Sequence, residues 1–267
     1  MKKMVMGMVA AMTATMILGG CVKPEMRSMG ATVMTSPLPH RSNGTDEEAR
    51  FSVDGSGFVG YTSSEGSENV KNIKAWGGNV SVTYRLGGDF SPLFVNGALG
   101  AFGGSTEFDC TDDRCDMSNK GYGTYVAWLN TPSGKREYHF WNMQQRVLLG
   151  LDFTPGKYGI VGGGAGLLVY QGTGSYEDKR QDLEDEKIVD NVDDSFDAVP
   201  LVSLWGGSFI GKDAKYGKAV LEFSMLMKHD VPSSLKLTYT HPTGFYGGVA
   251  LGTMISSSLY LGKEFVF

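Results

Sequence analysis

The sequence predicts an all-β protein whose strands close into an antiparallel, up-and-down transmembrane β-barrel of eight to ten strands. Three observations predict it. From Phe51 onward, apolar residues recur at alternate positions, the period of an extended strand whose side chains point to its two faces in turn. Mean hydropathy is −0.15, and after residue 21 no apolar run approaches the roughly 20 residues that a spanning helix needs. A barrel with one oily and one wet face averages out near such a value. Finally, the connections between patterned segments alternate between short and long.

The chain opens with a basic pair, Lys2 and Lys3, followed by an apolar stretch from Met4 to Leu18 and then Leu18-Gly19-Gly20-Cys21. Residues 1–20 are expected to be a secretory signal peptide, too short for a comfortable membrane span and ending in small residues. The four residues ending at Cys21 resemble a lipobox, which implies cleavage before Cys21 and lipidation of that cysteine. Several acyl chains, at about 0.8 kcal/mol per buried methylene, anchor a protein firmly. Val22 is not the aspartate associated with inner-membrane retention, so the resemblance implies the outer membrane of a Gram-negative bacterium and lipoprotein-processing machinery as a partner. Residues 21–49 hold Pro24, Pro37 and Pro39 without periodicity and read as a lipidated flexible tether. Residues 50–267 form the barrel domain.

The strand signals follow in order. Phe51, Val53, Val59 and Tyr61 oppose Ser52, Asp54 and Ser56. Val80, Val82, Tyr84 and Leu86 oppose Asn79, Ser81, Thr83 and Arg85, the clearest alternation in the chain. After the turn at Gly87–Ser91, Leu93, Val95, Leu99 and Ala101 oppose Phe94, Asn96, Ala98 and Phe102. A long connection holds a possible extra hairpin around Tyr122 to Asn130 and Tyr138, about the turn-like Thr131-Pro-Ser-Gly134. Trp141, Met143, Val147, Leu149, Leu151 and Phe153 then face away from Asn142, Gln144, Arg146 and Asp152, although Gln145 joins the apolar side. Tyr158 to Gln171 is a glycine-laden strand and Val199 to Ile210 the next. Leu221, Phe223, Met225 and Met227 oppose Glu222, Ser224 and Lys228, and strands over Leu235–Thr240, Phe245–Ile255 and Leu259–Phe267 complete the set.

The turns at Gly87–Ser91, Thr154–Lys157 and Gly211–Tyr216 fall on one side, and the long connections near 107–137 and 173–197 on the other. Short turns on one side and long loops on the other are the asymmetry of outer-membrane barrels. An unpaired amide in hydrocarbon costs several kcal/mol, so a spanning sheet has to close. The inward set includes Arg85, Arg146, Asp152, Glu222 and Lys228, of both signs, which points to an ion-paired, filled interior rather than a wide aqueous pore.

The last strand, Leu259-Tyr-Leu-Gly-Lys-Glu-Phe-Val-Phe267, puts Leu259, Leu261, Phe265 and Phe267 on one face, with Lys263 in a slot where an apolar residue would fit. Tyr260, Gly262, Phe265 and Phe267 resemble the terminal assembly signal of bacterial outer-membrane β-barrels. The patterned region as a whole resembles the OmpA-type transmembrane barrel class. The resemblance implies a lipid bilayer and the outer-membrane barrel-assembly machinery as partners.

The formal charge is −5, yet Glu177 to Asp197 alone holds ten acidic and three basic residues, leaving the remainder slightly basic. No basic stripe with interleaved aromatics suggests nucleic-acid binding. With Cys21 lipidated, Cys110 and Cys115 remain, and in an exported protein they are expected to form a disulfide around Thr111–Arg114; a metal site is the rival, short of histidines and of four ligands. Gly162-Gly-Gly-Ala-Gly166 lies inside a strand, so small residues packing in a narrow barrel explain it better than a phosphate loop. His229, Asp230, Ser233 and Ser234 share an external connection and could serve a lipid-modifying enzyme, but a solvated turn is the simpler reading. His139 and His241, near strand ends, read as interfacial or lumen side chains. Asp190, Asp193, Asp194 and Asp197 could hold a cation but lack the glycine and closing glutamate of a calcium loop. Val189, Val192 and Phe196 hint at a short amphipathic helix. No catalytic residue, metal or cofactor is expected, and the function indicated is structural or surface-interacting. The alternative is a soluble β-sandwich or calyx displayed on the lipid anchor, binding an apolar or carbohydrate ligand.

Overall fold

The computed structural model describes residues 25–31, 38, 50–62, 70–109, 120–189, 191–228 and 232–267. Ten strands form the wall: β1 Arg50–Thr62, β2 Val70–Arg85, β3 Leu93–Phe108, β4 Glu137–Phe153, β5 Gly159–Thr173, β6 Phe196–Phe209, β7 Lys218–Leu226, β8 Ser233–Thr240, β9 Phe245–Gly252 and β10 Ser257–Val266. Each pairs antiparallel with its neighbour in sequence, and β10 pairs with β1 over Ser257↔Tyr61 to Val266↔Ser52, so the sheet closes on itself. The expected barrel is present, with the upper of the two expected strand counts.

The alternation sorts side chains as the sequence implies. Along β4 every odd-numbered residue from Glu137 to Phe153 is exposed and every even-numbered one buried. Val80, Leu99, Val147, Leu221, Leu237 and Leu259 are among the large apolar side chains on the outer surface. Inside lie Asn79, Thr83, Asn96, Gln144, Arg146, Glu222 and Lys236. This orientation overturns the soluble sandwich or calyx, because the greasy faces point away from the interior rather than into it.

Short turns join β2 to β3, β4 to β5, β6 to β7 and β8 to β9, all at one end. Gly156 and Gly244 hold φ values of +72° and +85° in two of them, a left-handed conformation that side-chain-bearing residues adopt at a cost. Strands β2 to β5 have 16, 16, 17 and 15 residues, against 9, 8 and 8 for β7 to β9. A tilted strand of about 9–11 residues crosses the hydrocarbon, so one side of the wall stands proud of it at the loop end. The chemistry changes where expected: outward positions Lys74, Glu137 and His139 are polar, beyond Trp76 and Trp141. Those two indoles meet edge-on at 5.8 Å and mark the upper rim of the apolar band. Phe51 and Phe267, with ring centroids 6.3 Å apart, stand at the lower rim.

Among the described residues two α-helices sit in the loops, α1 at Lys120–Leu129 and α2 at Ser175–Asp185. The first arm of the hairpin suggested near 122–140 is therefore a helix and its second arm, from Tyr138, belongs to β4, so the wall keeps an even number of strands. Tyr125 and Trp128, one helical turn apart, stack at 5.9 Å, and Trp128 also meets Phe108 at 5.5 Å, a contact that an extended segment would not place on one side. The helix anticipated over Val189, Val192 and Phe196 is likewise displaced. It ends at Asp185, Val192 lies in a two-residue strand, and Phe196 opens β6 with its ring outside.

Of the stretch read as a tether, residues 25–31 and 38 are described. Met26, Ser28, Met29, Ala31 and Leu38 are all buried within the barrel, and Glu25–Met26 pairs in parallel with Asn191–Val192. No periodicity announced this, because the partners of these residues include Gln144, Tyr170, Glu177, Arg180 and Glu222, each more than a hundred positions along the chain.

Because Val147 lies near the middle of the outer band of β4, Val147→Arg should cost about 2–4 kcal/mol in reversible unfolding from a bilayer. A neutral effect would mean that this face does not meet lipid.

Candidate functional site: the filled lumen

The lumen is the site that the fold builds, and its lining comes from even-spaced residues of every strand that pack too closely to leave a wide channel. On β5, Gly162 and Gly164 face inward where a Cβ would stand 2.5 Å from the Trp205 indole or 2.7 Å from Leu148. The glycine run thus makes room for large inward side chains on the two adjacent strands, β4 and β6. It is not a phosphate cradle.

Charges inside are paired in tiers. Nearest the turns, Arg85 Nη2 lies 3.2 Å from Asp152 Oδ2, Trp205 Nε1 donates to Asp152 Oδ1 at 3.2 Å, and the Arg85 guanidinium lies 5.1 Å from the Phe94 ring. At mid-height, Arg146 Nη2 donates to Asn96 Oδ1 at 2.8 Å, and Glu222 and Asp54 are the carboxylates that act on its charge most. Lys236 Nζ contacts Glu222 Oε1 at 3.2 Å, and Ser224 Oγ donates to the same oxygen at 3.1 Å. Asp54 accepts from Ser81 and from Tyr246 OH, the latter at 2.9 Å. Buried charges are tolerated only when paired and hydrogen-bonded, which is the arrangement here.

The loop mouth carries a second buried pair. Arg180 and Glu177, one turn apart on α2, form an ion pair with both side chains almost wholly buried. Arg180 Nη1 donates to Met26 O at 2.6 Å, while Ser28 Oγ and Met29 N donate to Glu177 Oε1 at 3.0 and 3.2 Å. Above them, Phe108 packs on Tyr176 at 5.3 Å and on Tyr138 at 5.0 Å. The mouth is capped by aromatics and by α2. Beside it, Lys228 Nζ donates to Tyr170 OH at 3.0 Å and contacts Asp193 and Asp197 at 2.9 and 3.1 Å. Burial lowers the pKa of this ammonium, but the hydrogen bonds to Tyr170 and Asp193 outweigh it and raise the pKa above the ordinary lysine range. Asp193 and Asp197 therefore face a lysine, and among the described residues no group of three or more His, Cys, Asp or Glu is placed to hold a metal ion.

Arg85, Arg146, Asp152 and Glu222 lie inside as expected, and Lys228 is half-buried at the rim. Lys236 and Asp54 complete their network, and the alternation of β8 and β1 carried the signal for both. Glu177 and Arg180 read as part of a solvated acidic loop; only their spacing with Tyr176 and Leu183 betrayed a buried helical face.

In the terminal strand Tyr260 and Gly262 face inward: Tyr260 OH lies 2.7 Å from Thr238 Oγ1, and Gly262 lies against the Tyr246 ring. Phe265 and Phe267 face outward. Lys263 Nζ rests 4.6 and 4.9 Å from the ring centroids of Phe245 and Phe265, which explains how a cation sits in that lipid-side slot. Ser233 and Ser234 belong to β8, with Ser234 buried, and His139 and His241 are exposed at opposite ends of the wall. His229, Asp230, Asp190, Cys21, Cys110 and Cys115 lie outside the described residues.

A closed ring of ten antiparallel strands with an oily exterior and a charged, packed interior defines a transmembrane β-barrel with a filled lumen. No protein-family model and no curated protein matches the chain. Among solved structures it is similar to the beta domain of the Bordetella autotransporter BrkA, at 11% identity and a TM-score of 0.40, over 83% of this chain and 100% of that one. It is also similar to the outer membrane protein OprG from Pseudomonas aeruginosa (9%, TM-score 0.38, 85% and 99%) and to Ail, the attachment invasion locus protein of Yersinia pestis (10%, TM-score 0.33, 82% and 99%). The ring of paired strands, not these distant likenesses, defines the class.

Glu222→Ala removes the carboxylate that Lys236 contacts and should cost about 3–5 kcal/mol in urea unfolding, the range for breaking a buried pair. Glu222→Ala combined with Lys236→Met should recover a large part of that loss; strict additivity of the two changes would show that the pair is not coupled.

Proposed function

We propose that the protein is a lipid-anchored barrel of the Gram-negative outer membrane with a structural or surface-interaction role rather than a pore or an enzyme. The observation that carries this reading is the conjunction of a continuous apolar outer band with an interior occupied by its own side chains and by residues 25–31 and 38. A lumen occupied in this way gives hydrated solutes no evident route. What the molecule offers instead is the mouth above Trp76 and Trp141, where long strands, α1 and the acidic α2 stand clear of the membrane. The short turns face the periplasm and this crown faces outward, the orientation that barrel-assembly machinery gives such proteins. Signal cleavage before Cys21, its lipidation, and a Cys110–Cys115 bridge in the crown complete the reading.

Purified full-length protein should be monodisperse only in detergent, migrate differently on gels before and after heating, and leave reconstituted liposomes impermeable to sugars. Solubility of the folded chain in plain buffer would sink the membrane assignment, and osmotic swelling in sugars would sink the filled lumen. Cells fed an alkyne-tagged fatty acid should label the protein, and Cys21→Ser should abolish the label.

A further inference from the structure

The segment ahead of β1 can be followed through the lumen by its fixed points. At the loop mouth Met26 O accepts from Arg180 Nη1 at 2.6 Å and from Asp193 N at 2.9 Å, in register with the Met26↔Val192 pairing. Next, Gly30 O accepts from Gln144 Nε2 at 2.8 Å, and Gly30 is pressed so closely on Tyr170 that a Cβ would stand 2.4 Å from its Cδ2. Further on, Leu38 N donates to Glu222 Oε2 at 2.9 Å, at the middle of β7, and Leu38 joins an apolar cluster that runs from Tyr170 and Leu201 down to Phe94, Ile160 and Phe209. Arg50 then opens β1 at the turn end, where the backbones of Phe51 and Phe267 are hydrogen-bonded. The order Met26, Gly30, Leu38, Arg50 is a descent from one mouth of the barrel to the other.

We infer that the N-terminal segment threads the barrel from end to end, so that the chain preceding Glu25 leaves at the loop mouth and a lipid on Cys21 enters the leaflet on the loop side. This rests on the lipidated outer-membrane reading above. Three residues lie between Cys21 and Glu25, so four Cα–Cα steps give a reach of about 14 Å when fully extended, against a hydrocarbon core of about 30 Å. The lipid therefore cannot return to the turn-side leaflet while Met26 keeps its seat. In the proposed orientation that makes the protein a lipoprotein whose anchor lies in the outer leaflet. An acylated cysteine has no passage through so packed a lumen, so the wall closes around a segment already in place, and the β10–β1 seam forms after it.

Two measurements test the path. With Cys110→Ser and Cys115→Ser as background, Met26→Cys with Val192→Cys should form a disulfide in the heat-modifiable, folded species; a folded barrel that never forms it overturns the seat. A short epitope inserted after Lys23 should bind antibody on intact cells, while one inserted after Ser42 should bind only after permeabilisation. The reverse pattern overturns the threading. Fatty-acid labelling separates this outcome from the anchor itself: a labelled protein whose Lys23 epitope is hidden on intact cells loses the threading and keeps the lipid, whereas an exposed epitope without label keeps the threading and loses the lipid.

Discussion

The structure depends on one constraint, that a backbone amide inside hydrocarbon has no partner except another amide. A sheet in that solvent cannot keep an edge, and the pairing of β10 with β1 removes the last one. Everything else is a consequence of closing that ring. Its outside has to be apolar, and its inside has to be filled with whatever a ring of ten strands encloses.

Ten strands enclose more space than side chains fill readily, since about eight already give an interior just wide enough for them. Two devices take up the difference. Long polar residues reach inward and neutralise one another, with Arg85, Arg146 and Lys236 set against Asp54, Asp152 and Glu222. The chain's own N-terminal segment takes the rest, held by backbone hydrogen bonds to Glu177, Arg180, Gln144 and Glu222. Glu222 belongs to both devices, because one oxygen takes Lys236 and Ser224 and the other takes the amide of Leu38. The interior is thus a polar core in which the plug and the wall share partners.

The loop end follows a different logic. There the wall rises past the apolar band and the enclosed surface turns aromatic: Phe108, Tyr125, Tyr138 and Tyr176 form a core of the ordinary water-excluding kind. Helix α2 closes it with an acidic outer face and a buried Glu177–Arg180 pair beneath, so a strongly charged segment does structural work on one side and faces water on the other.

What the amino-acid order determined by itself was the wall. A period of two is a local property: each strand declares its two faces without knowing its neighbours, and the short turns with glycine fix which strands are adjacent. The sorting of Arg146, Asp152 and Glu222 to the inside followed from that alone. Tertiary structure decided what fills the ring. Residues 25–31 carry no period because their contacts are made to Gln144, Glu177, Arg180 and other positions more than a hundred residues away. The helix at Lys120–Leu129 and the burial of Arg180 were settled in the same way, by surroundings that exist only once the strands have closed.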